Sequence, residues 1–497
     1  MNFCLLHFLY LCFQNFNTMN SIYFKKHFLF LLFFALVMAG CSKDDLLNNP
    51  EADTASLSNF SFNKSDNSGL DNNSTSVSKG NLIYITVPED IDLKNLVPSF
   101  STSKGASVTI DGRPVESGST SCDFSNTAKI VVTSASGKAT RTYSLLAKNG
   151  ISEIDNKVYL FMTKYNVPGI SVAISKDEQT VYKAGYGFAV SSTEQRVTPQ
   201  TLFRLASMSK QQTALAIMNL YEDGLLDIDD QVFGKGGILE KEFGSEVMPN
   251  VDKITVRHLL QHTGGWGSDP IYVSATTNLE QRITDMVQKK ALKYTPGTTY
   301  DYSNFGFCVL GKVVECLSGK DYETYLKETV HKKAGISNIF VGRNTTDNRR
   351  ANECQYYGQG GKNAYGNDVE LSKAAGGMIA STEELMKLMA YIDYGSKVPD
   401  MFKKETLDLM YEHLPNGTVD EDGDPYIKYA LGWRTEYPNY PDWAAFHGGT
   451  LAGVATIWAR GKNNVNGVVL CNSRSYDYDG DMDYDMWHML GDIQAMY

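Results

Sequence analysis

The stretch FRLASMSKQQTALAIMNLYEDG, residues 203–224, places two serines and a lysine immediately before a run with helical periodicity. Four apolar residues recur at the i, i+3, i+4, i+7 spacing of an amphipathic helix, namely Ala214, Ile217, Met218 and Tyr221. Gly224 then supplies a helix stop signal. The stretch therefore predicts a helix whose first turn carries the serines and the lysine.

The spacing within that first turn separates the two serines. Residues three apart on a helix share a face, whereas neighbours point about 100° apart, so Lys210 can reach Ser207 but not Ser209. The free N–H groups and the dipole at a helix start would also stabilise an oxyanion formed there. A lysine acts as a base only when neutral, which requires that burial or a neighbouring charge lower its pKa. Ser207 is thus either a nucleophile with Lys210 as its base or merely an N-cap beside a solvated charge.

Two further motifs lie downstream. The stretch YTPGTTYDYSNFGF places Tyr302 and Asn304 in a loop between a Pro-Gly turn and a helix, and AAFHGGTLAGVATIW places His447, Gly448 and Gly449 at the lip of a strand. A tyrosine phenol near a lysine ammonium is drawn toward phenolate, which makes such a pair a proton-transfer unit. Two glycines inside a strand usually indicate that another group approaches the backbone closely.

The order Ser-x-x-Lys, Tyr-x-Asn, His-x-Gly resembles that of the serine β-lactamase-related family, the class C β-lactamase, D-Ala-D-Ala carboxypeptidase and esterase group of penicillin-recognising enzymes. The resemblance runs over nearly all of residues 151–497. Its blocks, in family order, are VPGISVAIS, TPQTLFRLASMSK, ITVRHLLQHTGGWG, PGTTYDYSNFGFCVLGKVVE, AAGGMIAST, YALGW and HGGTLAGVATIWAR. The resemblance implies an α+β fold, with an antiparallel sheet flanked by helices, a helical insert and the site between them.

The resemblance also implies roles for individual residues. Ser207 would be the acylated nucleophile, and Lys210 and Tyr302 would share the duties of base and acid. Asn304 would bind the amide or carbonyl group of the substrate. We expect a small-molecule or peptide substrate and no cofactor.

His447 stands where many relatives have the lysine of a Lys-Thr-Gly motif, and we place it with the catalytic residues. The resemblance puts Gly448, Gly449 and Thr450 in the substrate-binding wall, with the backbone N–H groups of Thr450 and Ser207 as the oxyanion hole. A lysine is a fixed cation suited to a substrate carboxylate, whereas histidine is neutral for much of the time near pH 7. The sequence therefore favours esters or amides that lack this carboxylate, and disfavours β-lactamase and D-Ala-D-Ala peptidase activity.

The beginning of the chain has the pattern of a targeting segment. Two lysines precede the apolar run HFLFLLFFALVMAG, which is shorter than the roughly 20 residues of a membrane-spanning helix and ends at Cys41. LVMAGC resembles the lipobox of bacterial lipoproteins. We therefore expect a signal peptide over residues 1–40, lipidation of Cys41, a tether over 41–56 and an outer-membrane location, facing the periplasm or the cell surface. The alternative is a plain signal peptide with an incidental cysteine.

Residues 57–148 have a different character from the rest. Short runs rich in Val, Ile, Thr and Tyr, such as LIYITV and KIVVTSA, are separated by Asp-Gly and Ser-Gly turns, and no helical period occurs before Ile151. This pattern predicts a small all-β sandwich, and it resembles the Ig-like modules that bacterial surface lipoproteins carry ahead of an enzyme. The enzyme domain would then occupy residues 149–497.

Other classes of site are disfavoured. The net charge of −11 and the lack of a basic run argue against a nucleic-acid partner. His258 and His262 are four apart on one face, but a zinc protease would need Glu at 259, where Leu stands, so no metal is expected. The cysteines beyond Cys41 are odd in number and irregularly spaced, which is not a disulfide framework.

Three functions remain open from the sequence. The leading one is a secreted, lipid-anchored serine hydrolase, either an esterase or a peptidase. The first alternative is an acyltransferase that passes the acyl group from Ser207 to an alcohol such as a sterol or a sugar, and the second is a surface-binding lipoprotein without activity. Two loops carry aromatic residues that could hold an apolar acceptor or simply pack, namely Trp266, Tyr272, Tyr356, Tyr357 and Tyr365.

Overall fold

The computed structural model describes residues 53–267, 269–272, 278–415, 418–424, 428–435, 442–477 and 481–497. The predicted signal peptide, Cys41 and most of the predicted tether lie outside the described residues. The chain separates into two compact units with a boundary between Asn149 and Gly150, and Val77–Lys79 groups with the second unit. No helix among the described residues is both long and apolar enough to cross a membrane.

The described part of the first unit is built from strands and a short 3₁₀ turn, Leu93–Asn95. Its strands are β1 (Leu57–Phe62), β2 (Ser74–Thr75), β4 (Leu82–Val87), β5 (Pro98–Thr102), β6 (Ser107–Ile110), β7 (Arg113–Pro114), β8 (Ala128–Thr133) and β9 (Thr140–Asn149). The strand β3 (Val77–Lys79) belongs to the second unit. β1 pairs antiparallel with β2 and β5, and a larger sheet contains the order β4-β9-β8-β6-β7. The prediction of an all-β region is therefore confirmed.

The predicted turn chemistry explains part of this unit. Asp111 and Gly112 both have positive φ, as a two-residue hairpin turn between β6 and β7 requires. β8 buries alternate side chains, which is the pattern of a strand with one face in a core. β4 and β9 pair in parallel, so they are not a hairpin of the kind that the turn signals predict.

The second unit mixes helices and strands. The helices are α1 (Ser152–Tyr165), α2 (Ser209–Glu222), α3 (Glu240–Phe243), α4 (Val256–Leu260), α5 (Leu279–Lys289), α6 (Asn304–Ser318), α7 (Tyr322–Leu326), α8 (Lys373–Gly376), α9 (Thr382–Met389), α10 (Lys404–Met410) and α11 (Asp481–Gln494). The strands are β10 (Gly169–Lys176), β11 (Gln179–Val190), β12 (Gln195–Arg196), β13 (Phe203–Arg204), β14 (Thr299–Tyr300), β15 (Phe340–Val341), β16 (Tyr357–Gly358), β17 (Met378–Ala380), β18 (Val419–Asp420), β19 (Trp443–Leu451), β20 (Val454–Gly461), β21 (Val465–Cys471) and β22 (Ser473–Arg474).

The main sheet of this unit has the strand order β12-β11-β10-β21-β20-β19, with antiparallel pairing throughout. The early strands thus meet the late ones through β10 and β21, and β19 lies at one end of the order. α9 packs on β10 and β21, and α11 packs on α1 and β21. The predicted α+β fold, an antiparallel sheet flanked by helices after an all-β region, is confirmed.

α2 runs through the interior of this unit. Every residue from Ser209 to Leu220 is buried, including the polar ones, because α6, α8 and α10 all pack against the helix. The amphipathic pattern of the sequence therefore understates how completely the helix is enclosed. Its N-terminal end lies beside β19, which contacts the 3₁₀ turn Ala206–Met208 that precedes α2.

Candidate active site

The turn before α2 presents Ser207. Ser207 lies in the 3₁₀ turn and is partly exposed, and its neighbour Ala206 has φ of +50°. A non-glycine residue pays on the order of 1–3 kcal/mol for such a conformation, which persists only where the surroundings enforce it. Ser209 is buried, and its Oγ accepts a hydrogen bond from the Met378 N–H at 2.9 Å. The two serines therefore face different surroundings, and of the two only Ser207 is partly exposed.

Lys210 lies beneath Ser207 and is fully buried. Its Nζ is 3.4 Å from Ser207 Oγ and donates to Asn304 Oδ1 at 2.7 Å and to the Ala375 carbonyl at 2.8 Å. Burial lowers the pKa of Lys210 to about 7. Carbonyl oxygens only accept hydrogen bonds. In the neutral amine, the two N–H groups therefore donate to these two oxygens, and the nitrogen lone pair is left to accept from the Ser207 hydroxyl.

Tyr302 completes the proton-transfer group. Its ring centroid is 4.7 Å from Lys210 Nζ, and it shares a hydrogen bond with Ser207. Burial raises the pKa of Tyr302 to about 12, and the hydrogen bond with Ser207 offsets this only in part. The expectation that the lysine draws this phenol toward phenolate is therefore wrong, because burial disfavours charge on both groups. Tyr302 carries its proton at neutral pH and is suited to donate it.

The loop that carries Tyr302 and Asn304 is fixed by two residues that the sequence analysis did not assign to the site. The Asn304 N–H donates to Asp269 Oδ2 at 2.7 Å, and the next N–H in the chain donates to Oδ1 of the same carboxylate at 3.2 Å. His262 Nδ1 accepts from the Ser303 N–H at 3.0 Å, and its ring centroid is 4.3 Å from that of Tyr302. Nothing in the local sequence around Asp269 indicates this role, because only the fold brings it to the start of α6.

The other histidine considered for a metal also has a structural role. His258 Nδ1 accepts from the Thr255 N–H at 3.2 Å, and Thr255 Oγ1 accepts from the His258 N–H at 3.3 Å. This reciprocal pair caps the start of α4.

β19 forms the wall opposite this loop. A Cβ on Gly449 would lie 2.2 Å from the Leu205 carbonyl oxygen, so the strand backbone lies directly against the turn that carries Ser207. Thr456 Oγ1, on β20, donates to the same carbonyl at 2.9 Å. A Cβ on Gly448 would lie 3.0 Å from the Trp487 ring. The close approach that the paired glycines predict therefore occurs at both positions.

His447 lies on β19 and is only 2% exposed. Its Nδ1 is 2.6 Å from the Gly448 carbonyl oxygen, and its Nε2 is 3.0 Å from the Tyr429 hydroxyl. Burial lowers the pKa of His447 well below its ordinary value, so the ring is neutral near pH 7. Both ring nitrogens are thus engaged by groups other than Ser207, although the residue lines the same cavity.

The cavity above Ser207 has a volume of about 560 Å³. Its walls include Tyr302, Asn304 and the segment from His447 through Gly448, Gly449 and Thr450 to Ala452. The structure thus brings together all the site residues that were predicted in the enzyme domain, with Lys210 buried beneath Ser207.

Arg434 also lines this cavity. Its backbone N–H and carbonyl both pair with Phe446 at 2.8 Å, which places it beside the residue that precedes His447. The preference for substrates without a carboxylate rests on position 447 alone. Arg434, which directly follows the YALGW block, adds a further basic residue to the cavity wall.

The aromatic residues proposed to hold an acceptor do not line the cavity where the structure describes their side chains. Trp266 packs edge-on against Phe305, and Tyr356 packs against Tyr365. The Tyr357 hydroxyl accepts from the Ser191 N–H, and the side chain of Tyr272 lies outside the described part of the chain. Besides Tyr302, the aromatic residues in the wall of the cavity are Tyr476 and Trp487.

The contact at Gly449 gives a direct test of this geometry. Gly449→Ala forces β19 away from the Leu205 carbonyl, and we expect the rate of hydrolysis of a chromogenic ester to fall by about 100-fold, the cost of roughly 1 Å of misplacement. Gly306→Ala is the matched control, because its added methyl group meets no atom closer than 3.6 Å. A Gly449→Ala protein with the wild-type rate would contradict the packing of β19 on the turn.

Comparison with known proteins agrees with the fold and with the predicted family. The sequence matches the family described as Beta-lactamase over residues 154–488, and the family described as SGBP, N-terminal, over residues 57–145. "Protein flp" of Staphylococcus aureus (strain N315) is 26% identical over 338 residues, which is 66% of this chain and 64% of that protein. The chain therefore spans less than two thirds of the length of this curated relative.

Two solved structures share the fold. One is the octameric penicillin-binding protein homologue from Pyrococcus abyssi, with a TM-score of 0.56, 24% identity and coverage of 69% of this chain and 76% of that one. The other is the beta-lactamase/D-alanine carboxypeptidase from Pseudomonas syringae, with a TM-score of 0.54, 18% identity and coverage of 67% and 97%. With a family match over more than half of its length, the chain belongs to the beta-lactamase family.

Proposed function

We propose that the protein is a serine hydrolase that cleaves an ester or amide through an acyl-enzyme on Ser207. The observation that carries this proposal is the environment of Lys210, whose pKa burial lowers to about 7 while two carbonyl acceptors leave its lone pair for Ser207. A lysine in this state is a base poised near neutral pH, which is where general-base catalysis is most effective. A serine that serves only as a helix cap needs no such partner.

The reaction follows from the placement of these groups. Neutral Lys210 takes the proton of Ser207 as Oγ attacks the substrate carbonyl carbon, and the backbone N–H groups of Ser207 and Thr450 stabilise the oxyanion. Collapse of the tetrahedral intermediate breaks the bond to the leaving alcohol or amine, which receives a proton from Tyr302. Water then attacks the acyl-enzyme, and the same two side chains transfer protons in the reverse order to release the acid and restore Ser207.

The charge of the cavity refines the class of substrate. His447 is neutral, whereas Arg434 is a permanent cation in the same wall. An arginine fork binds a carboxylate through two parallel hydrogen bonds. We therefore propose that the substrate is an ester or amide with a free carboxylate, such as a peptide with an unblocked C-terminus, in place of the esters or amides without this carboxylate that the sequence favours.

The nucleophile is tested by covalent labelling. A serine-directed phosphonate should label the protein once, on the peptide that contains Ser207, and Ser207→Ala should abolish labelling without unfolding the protein. Ser209→Ala is the matched control, since it removes the bond to Met378 and should lower the melting temperature while labelling persists. Labelling that persists in Ser207→Ala, or that maps to Ser209, would sink the assignment.

The carboxylate preference is tested with a pair of substrates. We expect Arg434→Gln to lower kcat/KM for an N-acyl dipeptide by about 10- to 100-fold, the usual worth of a hydrogen bond to a charged group, and to leave its C-terminal methylamide nearly unchanged. An equal loss on both substrates would mean that Arg434 supports the fold and not the substrate carboxylate. Acylation of an added alcohol in preference to hydrolysis would favour the acyltransferase alternative.

A further inference from the structure

The two hydrogen bonds of His447 fix which of its nitrogens carries the proton. The Gly448 carbonyl oxygen, 2.6 Å from Nδ1, can only accept, so Nδ1 must be protonated. In a neutral imidazole the lone pair is then on Nε2, where the Tyr429 hydroxyl donates at 3.0 Å. The Tyr429 hydroxyl and the Gly448 carbonyl therefore select a single tautomer and a single ring orientation.

Tyr429 is itself held rigidly. It is 1% exposed, and its backbone carbonyl accepts from the Leu414 N–H at 3.0 Å. Its ring packs against those of His262, at 4.7 Å between centroids, and Tyr300, at 5.7 Å. Burial raises the pKa of Tyr429, so its hydroxyl keeps the proton that it donates. This rigid donor lies behind the wall of the cavity and not in it.

The peptide group that hydrogen-bonds to the His447 ring, between Gly448 and Gly449, belongs to the substrate-binding wall. The Gly448 carbonyl is part of the peptide unit that leads into Gly449, and Gly449 lies against the turn that carries Ser207. Thr450, whose N–H we assign to the oxyanion hole, follows directly. A ring that could rotate at position 447 would release the Gly448 carbonyl and let this segment twist.

We propose that Tyr429 is a positioning residue, whose hydroxyl locks His447 and thereby holds the Gly448–Thr450 backbone in place beside Ser207. This inference rests on the proposed acyl-enzyme mechanism. It assigns His447 a structural task at the site and removes it from proton transfer, in contrast to the catalytic role that the sequence resemblance implies. Lys210 and Tyr302 then carry the protons alone.

The first test needs no variant. Histidine ¹⁵N NMR of the wild-type protein should show His447 with a protonated Nδ1 and an unprotonated, hydrogen-bonded Nε2. A protonated Nε2 in the folded protein at pH 7 would overturn the proposal, whether or not the protein hydrolyses any substrate. The labelling of Ser207 tests the proposed function, whereas this NMR measurement tests the hydrogen bonds of His447. Each of the two proposals can therefore fail without the other.

The second test removes only the hydroxyl. In Tyr429→Phe we expect kcat to fall by about 10-fold, the usual worth of one hydrogen bond, with KM changed by less than about twofold and with the Nε2 resonance shifted. Tyr300→Phe removes a hydroxyl from the same aromatic group and should leave both kcat and the His447 resonances at wild-type values. A shifted resonance with wild-type kcat, or an equal loss of kcat in Tyr300→Phe, would overturn the positioning role.

Discussion

Lys210 Nζ lies where a charged ammonium would lose its hydration, and its hydrogen-bond partners there are neutral groups. Removing a charge from water without a counter-charge costs several kcal/mol, and a buried lysine escapes much of this cost by giving up its proton. The acceptors that hold the amine come from α6 and α8, so the base exists only when those elements are packed around α2. The chemistry at Ser207 therefore depends on the complete folding of the helical part of the second unit.

The same burial gives Lys210 and Tyr302 different roles in proton transfer. It lowers the pKa of Lys210 to about 7 and raises that of Tyr302 to about 12, since in each case the charged form is disfavoured. A neutral amine accepts a proton and a neutral phenol donates one. Burial beneath Ser207 thus makes Lys210 the base and Tyr302 the acid. This mechanism uses neither a carboxylate nor a titrating histidine in contact with the nucleophile.

Much of the fold and of the reacting groups could be read from the sequence, because these features are local. The three-residue spacing of Ser207 and Lys210 and the adjacent glycines at 448 and 449 each specify geometry within a few residues. The stretches PGISVAIS and TVYKAGYGFAV read as two strands joined by a turn, and VATIWARGKNNVNGVVLCNS reads as a hairpin around a Gly/Asn-rich turn. The structure contains both pairs, β10 with β11 and β20 with β21.

Features that depend on distant packing could not be read in this way. Asp269 reaches the start of α6 only through the fold, and Arg434 reaches the cavity by pairing with the strand that carries His447. Burial also raises the pKa of Tyr302, and the local motif does not indicate how deeply the side chain is buried. The tautomer of His447 depends on Tyr429, a residue whose hydroxyl carries no signal in its own stretch of sequence.

The most direct test of this account is the pH dependence of the rate at which a phosphonate labels Ser207 at saturating probe. A lysine is a base only when deprotonated, so the rate should be low in acid, rise through a midpoint at about pH 7 and then stay level past pH 9, since Tyr302 ionises only near 12. A rate that instead climbs steadily toward pH 10, the behaviour of an ordinary solvated lysine, would contradict the claim that burial makes Lys210 the base.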